Sequence, residues 1–394
     1  MNTQTVVTTE TAGTEPRPVF DFLNLKAQFA TIREEVLAAV TRVMESQHFI
    51  LGPEVKLLEE ELAAKLGAKH AIGCASGTDA LILSLMAAGI ASGDEVITTT
   101  FSFIATAGSI AHVGARPVFV DIEPSSYNID SSQIEKAITE KTRAIMPVHL
   151  FGLPAGMGPI LEIAKKHNLL VIEDAAQAIG AKWNGQAVGT LGDFGCFSFF
   201  PSKNLGGAGD GGLITTNQDA MAERLRMLRA HGGKKKYHHE ILGTNSRLDV
   251  LQAAILRVKA RHLDSWTKGR RVHAEGYRNA FKERNIERWV TPPVPDGSLQ
   301  HVYNQFTIRC HFRDELKEFL KTKGVPTEIY YPLCLHLQPA FKGLGYHSGD
   351  FPVAEKASGE VLSLPVCPEL TAEQQELVAE SIAEFYENKQ GSEN

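Results

Sequence analysis

Residues 192–216 read GDFGCFSFFPSKNLGGAGDGGLITT and join two strand signals by an unusual connection. The apolar run Cys196–Phe200 predicts a strand, Pro201 a turn, and Gly212–Thr216 a second strand that the glycine-rich passage enters directly. The passage is not a phosphate-binding P-loop, because no Gly-Lys-Ser or Gly-Lys-Thr follows the glycines. It is not a dinucleotide-binding fingerprint either, because a strand rather than a helix comes next. Lys203 therefore lies near a tight turn, in a segment too apolar for a solvated lysine.

Five more β-rich runs precede this stretch and are mostly separated by segments of helical length. Seven strands with helical crossovers predict an α/β fold in which a mostly parallel sheet is covered by helices on both faces. The longest apolar run, Ala80–Ile90, has about half of the roughly 20 residues that span a bilayer, so it predicts a buried helix. The five runs are Ala71–Cys74, Glu95–Thr100, Arg116–Ile122, Ala144–Leu150 and Leu169–Glu173.

A smaller unit follows the sheet-forming part of the chain. Residues 248–285 predict a long helix, broken near 267–269, and the segments after it predict a small α+β domain. These segments are the runs Trp289–Pro295 and Val302–Cys310 and the helices Arg313–Lys323 and Ala372–Asn388. We therefore predict a disordered lead at 1–19, a large domain at 20–265, a small domain at 266–388 and a tail at 389–394.

The composition of the 394 residues predicts a small-molecule partner. Forty Lys and Arg against 46 Asp and Glu give a formal net charge of −6, which does not suit a nucleic-acid-binding protein. The five cysteines are odd in number and form no Cys-x-x-Cys pair, and His238 and His239 are adjacent, so no metal site is expected. The Thr-rich, acidic N-terminus does not resemble a signal peptide. A cytoplasmic protein without membrane or nucleic-acid partners is predicted.

The first motif outside the opening stretch is the junction AIGCASGTDALILSL at 71–85. Free N–H groups and the positive end of a helix dipole make such a junction an anion site, and Gly77 lets a phosphate approach the backbone. Taken alone, the junction is more typical of an ordinary turn in which Ser76 or Thr78 caps the helix.

The second motif, VIEDAAQAIG at 171–180, is an apolar strand that delivers Glu173 and Asp174 to its carboxyl end, where open α/β sheets bind ligands. A carboxylate there can hold a proton on a heteroaromatic nitrogen, and Gln177 can form a hydrogen bond with a neighbouring ring oxygen. A helix N-cap is the alternative role for a lone Asp.

The third motif is Ser198 with Lys203 in the opening stretch. A lysine kept neutral by partial desolvation is the nucleophile of Schiff-base chemistry, whereas a lysine on a surface loop is the alternative for this segment alone. Together the three motifs supply, in chain order, groups for a phosphate, a ring nitrogen, a phenolic oxygen and an aldehyde. These are the parts of pyridoxal phosphate.

With these motifs the chain resembles the DegT/StrS family of pyridoxal-phosphate sugar aminotransferases, over about residues 20–388. The matching segments are SGTDAL, TTTFSFIATA, VIEDAAQAIG, SFFPSKNLGGAGDGG, RAHG and TNSRLDVLQAAIL. The resemblance implies the type I fold of aspartate aminotransferase, with the seven-stranded sheet in the large domain, and pyridoxal 5'-phosphate as the cofactor.

The resemblance also implies a role for each residue that matches the family's motifs. Lys203 would bond to the cofactor aldehyde and shuttle the proton at the substrate α-carbon, while Asp174 would keep the ring nitrogen protonated. Gln177 would contact the phenolic oxygen, and Phe103 and Ala176 would lie against the two faces of the ring. The phosphate would be bound by Gly77, Thr78 and Ser198.

A homodimer with shared active sites is implied by the segment TNSRLD. Asn245 matches a position that reaches the phosphate of the neighbouring subunit, and Arg247 would lie close to the sugar nucleotide. Tyr331 matches a substrate-side tyrosine, whereas some family members have histidine where this chain has Tyr330.

The implied activity is transfer of an amino group from an amino acid, L-glutamate, to a keto group of a nucleotide-linked sugar, for amino-sugar and polysaccharide synthesis. The segment 229–256 is most similar to members that act at a 3-keto carbon. Amination of a free keto-cyclitol such as an inosose is the runner-up. Relatives that dehydrate sugars have histidine in place of the lysine, so Lys203 argues against dehydration. A non-catalytic regulatory relative could lose Lys203 or Asp174, yet both are present.

Overall fold

The computed structural model describes residues 19–293 and 297–393, without the side chains of 391–393. Its strands are β1 (His70–Cys74), β2 (Glu95–Thr99), β3 (Arg116–Val120), β4 (Thr142–Met146), β5 (Leu170–Asp174), β6 (Lys182–Trp183), β7 (Gln186–Ala187), β8 (Phe194–Ser198), β9 (Gly212–Thr216), β10 (Val290–Thr291), β11 (Leu299–Gln300), β12 (Phe306–Cys310) and β13 (Val361–Leu364).

The α-helices lie between and around these strands. They are α1 (Leu25–Ser46), α2 (Pro53–Leu66), α3 (Gly77–Ala87), α4 (Ala105–His112), α5 (Ser131–Ile134), α6 (Met157–His167), α7 (Asp219–Leu228), α8 (Val250–Ala260), α9 (Leu263–Glu283), α10 (Arg313–Thr322), α11 (Pro352–Glu360) and α12 (Ala372–Glu393). In this part of the chain no helix is both long enough and apolar enough to cross a membrane.

The central sheet contains seven strands in the order β1-β9-β8-β5-β4-β2-β3. Its strands are parallel except for β9, which runs antiparallel to both β1 and β8. Since β1 and β8 oppose the same strand, they point the same way as β5. The carboxyl ends of β1, β5 and β8 therefore meet at one edge of the sheet, each followed by one of the three motifs.

The seven predicted strands are all present, and their bounds differ where local chemistry ends the ladder. The fourth was expected to run from Ala144 to Leu150, yet β4 ends at Met146, because Pro147 has no N–H to donate to a neighbouring strand. The strand expected from Val302 begins only at Phe306. Residues 301–305 instead run beside residues 151 and 152, where the N–H groups of Val302 and Gln305 donate to the carbonyls of Gly152 and Phe151.

The predicted helix break near 267–269 is wrong. The break lies at Arg261 and His262, between α8 and α9, and α9 runs unbroken through Gly269. The missing side chain at Gly269 is what allows close packing, because a Cβ there would lie 3.2 Å from the Cβ of Pro368. The last helix, α12, was expected to end at Asn388 and continues to Glu393.

The two ends of α9 pack in two different apolar cores. Leu263, at its start, packs in the core that α1, α2 and α8 form. Tyr277, two-thirds of the way along, packs with Phe306 and the small β10-β12-β13 sheet. The boundary predicted at residue 265 thus falls inside a continuous helix. All five cysteines are buried and unpaired.

Candidate active site

A cavity of about 360 Å³ opens at the sheet edge where β1, β5 and β8 end. The three sequence motifs converge on it, although they lie far apart in the chain. The predicted site residues that line it are Gly77, Thr78, Phe103, Asp174, Ala176, Gln177, Ser198, Lys203 and Tyr331. Asn245 and Arg247 do not line it.

One end of the cavity is formed by the start of α3. Ser76 is the N-cap, and its hydroxyl accepts a hydrogen bond from the N–H of Asp79 at 3.0 Å. Among the described residues, none accepts from the N–H groups of Gly77 and Thr78, so the first turn of α3 can bind an anion. A Cβ at Gly77 would lie 2.6 Å from the Cβ of Ser198, so only glycine lets the two motifs approach this closely.

Asp174 also lines the cavity, at the carboxyl end of β5. Its Oδ2 accepts from the Thr106 hydroxyl at 2.8 Å and its Oδ1 from the Ala176 N–H at 3.2 Å. Burial raises the pKa of the Asp174 carboxyl, and the Thr106 hydroxyl, the Ala176 N–H and the positive charge of Lys203 oppose that rise. Asp174 is thus a buried acid whose ionised form is stabilised by specific partners.

The residue before it, Glu173, fixes the backbone around Asp174. Its fully buried carboxylate accepts from the N–H groups of Gly189, Leu191 and Gly192 at 2.7–2.8 Å and from Nε2 of His149 at 2.9 Å. The backbone N–H of His149 donates to the carbonyl of Asp174 at 3.0 Å. Four donors on one carboxylate connect β5 to two loops, so the Asp174 backbone has little freedom to move.

Lys203 follows β8 and faces Asp174 across the cavity. Burial lowers the pKa of Lys203 to about 8, while the Asp174 carboxylate opposes that shift. A substantial share of the amine is therefore neutral near physiological pH. A neutral amine in a cleft, beside a buried carboxylate, is a nucleophile for carbonyl groups.

Gln177 connects the backbone of Phe151 to the Tyr331 hydroxyl in a fixed orientation. Its Oε1 accepts from the backbone N–H of Phe151 at 2.6 Å, so the atom that faces the Tyr331 hydroxyl, at 3.0 Å, must be the donor Nε2. Because the Tyr331 oxygen accepts this bond, its own proton is free for a ligand. Phe103 packs against Tyr331 with ring centroids 6.2 Å apart and is 54% exposed at the cavity mouth.

The segment that carries Tyr331 is fastened to the end of β2. The N–H of Leu335 donates to the carbonyl of Thr100 at 2.7 Å, and the Thr100 hydroxyl lies 2.6 Å from Nδ1 of His336. Nε2 of His336 lies 3.2 Å from Oε1 of Glu355. Thr100 is fully buried and His336 is 2% exposed, so this chain of bonds has no access to the cavity.

The sequence profile of the DegT/DnrJ/EryC1/StrS aminotransferase family matches residues 30–383. The chain belongs to this family. It is 57% identical over 364 residues to the pleiotropic regulatory protein of Geobacillus stearothermophilus, a match that covers 92% of this aminotransferase and 98% of the relative.

The chain is also similar to a named aminotransferase and to a protein of solved structure. UDP-N-acetyl-3-dehydro-alpha-D-glucosamine 3-aminotransferase of Acidithiobacillus ferrooxidans is 49% identical over 354 residues, covering 89% of this chain and 94% of that enzyme. The crystal structure of S. venezuelae DesV in complex with a ketimine intermediate superposes with a TM-score of 0.90 at 42% identity, covering 94% of this chain and 98% of DesV. The predicted family, fold class and enzyme class are confirmed.

Asn245 and Arg247 of this aminotransferase lie outside the cavity of their own chain. Asn245 is exposed and Arg247 half-buried, while Ser246 between them is fully buried. The Ser246 hydroxyl donates to Oδ2 of Asp79 at 2.8 Å and accepts from the Ala75 N–H at 3.3 Å. The Ser246 side chain therefore anchors the segment to the start of α3, while Asn245 and Arg247 have no place in this cavity.

The cavity residues that the sequence analysis missed include Ser102, Thr106 and Gln305. Ser102 and Thr106 stand four residues apart in FSFIATA, a spacing that puts two hydroxyls on one side of a helical turn, and that signal was available. Gln305 lies in residues 302–305, which were predicted as strand, so its position at the cavity could not be anticipated from the period of the pattern.

Proposed function

We propose that this aminotransferase moves an amino group from L-glutamate to the 3-keto group of a nucleotide-linked sugar, with pyridoxal 5'-phosphate as its cofactor. The observation that carries the proposal is the placement of Lys203, Asp174 and the first turn of α3 around one cavity. The family and its nucleotide-sugar members supply the reaction class.

The donors and acceptors of the cavity fit pyridoxal phosphate. The free N–H groups at the start of α3 and the Ser198 hydroxyl suit a phosphate, and the missing Cβ at Gly77 leaves room for it. In the same cavity, Asp174 suits a protonated ring nitrogen, and Lys203 suits the aldehyde. When bound, the cofactor supplies an electron sink for the substrate α-carbon.

Lys203 and Asp174 have separate tasks in the reaction. The neutral Lys203 amine would hold the cofactor by condensing with its aldehyde, with loss of water. Once the amine of the donor has displaced it, Lys203 would take the proton from the donor α-carbon and return it at C4′ of the cofactor. The ionised Asp174 keeps a proton on the ring nitrogen, because that proton carries the positive charge that the buried carboxylate needs as a partner. Tyr331, whose own proton is free, donates a hydrogen bond to a ligand oxygen.

The acceptor is assigned from the relatives. The Acidithiobacillus enzyme is named for a UDP-linked 3-keto sugar, and it is aligned with 89% of this chain. We assign the same kind of acceptor, a 3-keto sugar attached to a nucleotide, and propose that Arg247 and Tyr331 contact it.

A regulatory function is the second candidate, because the Geobacillus relative carries the name of a regulatory protein. Retention of both Lys203 and Asp174 favours catalysis. A protein that only senses a ligand has no need of a lysine with its pKa lowered beside a buried carboxylate.

We propose that the active form is a cytoplasmic homodimer. Asn245 is exposed next to the anchored Ser246, and apolar side chains are exposed nearby, at Leu242 and Tyr237. In a dimer this segment would present Asn245 to the phosphate end of the partner's cavity. The unpaired state of all five cysteines suits a reducing compartment.

The first experiment is a visible absorption spectrum of the protein loaded with pyridoxal phosphate, recorded before and after glutamate is added. Loss of the long-wavelength band on adding glutamate supports the donor half-reaction. A protein that shows no band after incubation with the cofactor favours the regulatory candidate. Turnover of 3-keto and 4-keto nucleotide sugars then tests the acceptor, and activity on the 4-keto sugar alone overturns the 3-keto assignment.

A further inference from the structure

Asp174 has a hydrogen-bond donor that no sequence motif singled out. The Thr106 hydroxyl, in the first turn of α4, lies 2.8 Å from Oδ2 of Asp174, and Thr106 is 1% exposed at the cavity wall. Among the described residues, the carboxylate receives only one other hydrogen bond, from the N–H of Ala176 at 3.2 Å. Thr106 is therefore the shorter of two contacts that orient this carboxylate.

The direction of the protons in this group follows from its geometry. The Thr106 hydroxyl has one proton and two oxygen neighbours, Oδ2 of Asp174 and the Ser102 hydroxyl, each at 2.8 Å. An ionised carboxylate can only accept, so Thr106 donates to Asp174 and accepts from Ser102. The chain Ser102, Thr106, Asp174 thus directs two hydroxyl dipoles at one buried negative charge.

We propose that Thr106 is a positioning residue that keeps Asp174 ionised and aimed at the ring nitrogen of the cofactor, with Ser102 supporting it. The inference rests on the proposed function, because it assumes that Asp174 faces that nitrogen. One proton is shared between the two groups: either the nitrogen carries it and Asp174 is charged, or Asp174 carries it and both are neutral. Without the Thr106 hydroxyl, the arrangement in which both groups are neutral becomes the more stable one, and the ring nitrogen loses its proton.

The physical reason is the burial of Asp174. Burial favours the neutral carboxyl, and hydrogen bonds donated to the charged form oppose it. A hydrogen bond to a charged group contributes more than one between neutral groups. Thr106 is buried, so bulk water does not take the place of its hydroxyl. Removing that hydroxyl therefore leaves Oδ2 of Asp174 without this hydrogen-bond donor.

The test uses the enzyme loaded with pyridoxal phosphate that carries ¹⁵N in the ring, observed by ¹⁵N NMR. Thr106→Val keeps the shape of the side chain and removes the hydroxyl, and it is expected to move the resonance from the pyridinium position toward the neutral pyridine position. Thr106→Ser, which keeps the hydroxyl, is expected to restore the wild-type position. The glutamate half-reaction of Thr106→Val should fall about tenfold.

A cofactor analogue separates this role from a merely structural one. When the enzyme is loaded with a carbocyclic analogue that has no ring nitrogen, Thr106→Val should match wild type in analogue affinity. An equal loss of affinity for both cofactors would overturn the proposal. If Thr106→Val does not fold, Thr106→Ala compared with Ser102→Ala provides the same readout, with the smaller shift expected for Ser102→Ala.

The outcome for Asp174→Asn distinguishes the two levels of the argument. If that variant moves the ¹⁵N resonance and Thr106→Val does not, Thr106 has no such role and the proposed function stands. If Asp174→Asn itself leaves the resonance unchanged, the placement of Asp174 against the ring nitrogen is wrong, and the role of Thr106 fails with it.

Discussion

The cavity floor, formed by Glu173 and Asp174 at the end of β5, differs from the segment 244–247 in how many of its polar groups are bonded within one chain. At the floor, Asp174 and its neighbour Glu173 are buried, and donors of the same chain occupy their oxygens. In the segment, Ser246 alone is buried, the backbone N–H groups of Thr244 and Ser246 donate to the carbonyls of Leu228 and Arg229, and Asn245 is exposed and outside the cavity. One chain therefore surrounds the cavity carboxylates by itself, whereas the exposed segment is the part for which we propose a role in the cavity of a second subunit.

Lys203→Ala should abolish amino transfer and leave the fold intact. Removing the amine eliminates both the bond to the cofactor aldehyde and the proton shuttle, so amino transfer should fall by more than about 10³-fold. Single-turnover absorption changes with glutamate measure the loss. Far-UV circular dichroism and urea unfolding serve as controls, and turnover retained within tenfold of wild type would contradict the assignment of the nucleophile.

Mixed dimers test whether the segment serves the partner's site. Co-expressed Lys203→Ala and Asn245→Ala subunits should recover about a quarter of wild-type activity, because half of the randomly formed dimers then contain one intact site out of two. Lys203→Ala with Asp174→Asn is the matched control. Both residues belong to the cavity of one chain, so this mixture should stay inactive. Equal activity of the two mixtures would mean that Asn245 acts within its own subunit.

Gly77→Ala should weaken binding of the cofactor phosphate at the start of α3. The added Cβ would lie 2.6 Å from the Cβ of Ser198, and overpacking of this kind costs about 1–3 kcal/mol. Expressed in binding, that cost weakens the affinity for pyridoxal phosphate about five- to 150-fold. Equilibrium titration of the cofactor-free protein measures the change.

Gly108→Ala is the matched control for this substitution. Gly108 lies inside α4, and a Cβ there meets nothing within 4 Å. Alanine should leave cofactor affinity unchanged and stabilise the protein by up to about 1 kcal/mol in urea unfolding. If the two variants lose affinity alike, the close approach of Gly77 to Ser198 is not what the cofactor requires.

The pH dependence of cofactor capture should be the smallest effect. Burial lowers the pKa of Lys203 to about 8, and only the neutral amine attacks, so the capture rate should rise with pH and level off above about 8. Between pH 7 and 9 the expected rise is about tenfold. Asp174 opposes the lowering, so Asp174→Asn should move the midpoint to lower pH.

Stopped-flow absorbance of the cofactor-free protein measures this profile. Pentylamine, an amine without burial, is the control, and its rate should continue to rise well above pH 8. A protein profile that follows pentylamine would show that Lys203 is solvated as an ordinary surface lysine.

The parts of the site that lie within single motifs were predictable from sequence. Asp174 follows an apolar strand and Lys203 lies near a glycine-rich turn, so each carries a local signal that fixes its place at a strand end. The same is true of the sheet, because its strands are short apolar runs between helices. The comparisons with known proteins confirm the predicted family, fold class and enzyme class.

The parts that depend on contacts distant in sequence were not predictable. The strand expected from Val302 is replaced by a crossing segment, because its N–H groups find partners at Phe151 and Gly152, about 150 residues away. The helix break moved because Gly269, which suggests flexibility in a sequence, is used for packing on Pro368. The domain division and the roles of the site residues stay predictions.

The hydroxyl, imidazole and carboxylate of Thr100, His336 and Glu355 have a further consequence for functional inference. Their separations of 2.6 and 3.2 Å are hydrogen-bonding distances like those of a hydrolase triad, although the ring nitrogens are exchanged, with Nδ1 facing the hydroxyl and Nε2 the carboxylate. Yet the would-be nucleophile has no surface at all, so no ester or amide could reach it. Accessibility must therefore be applied before geometry when catalytic templates are scanned against structures, since evolution uses the same hydrogen-bond chemistry to fasten loops.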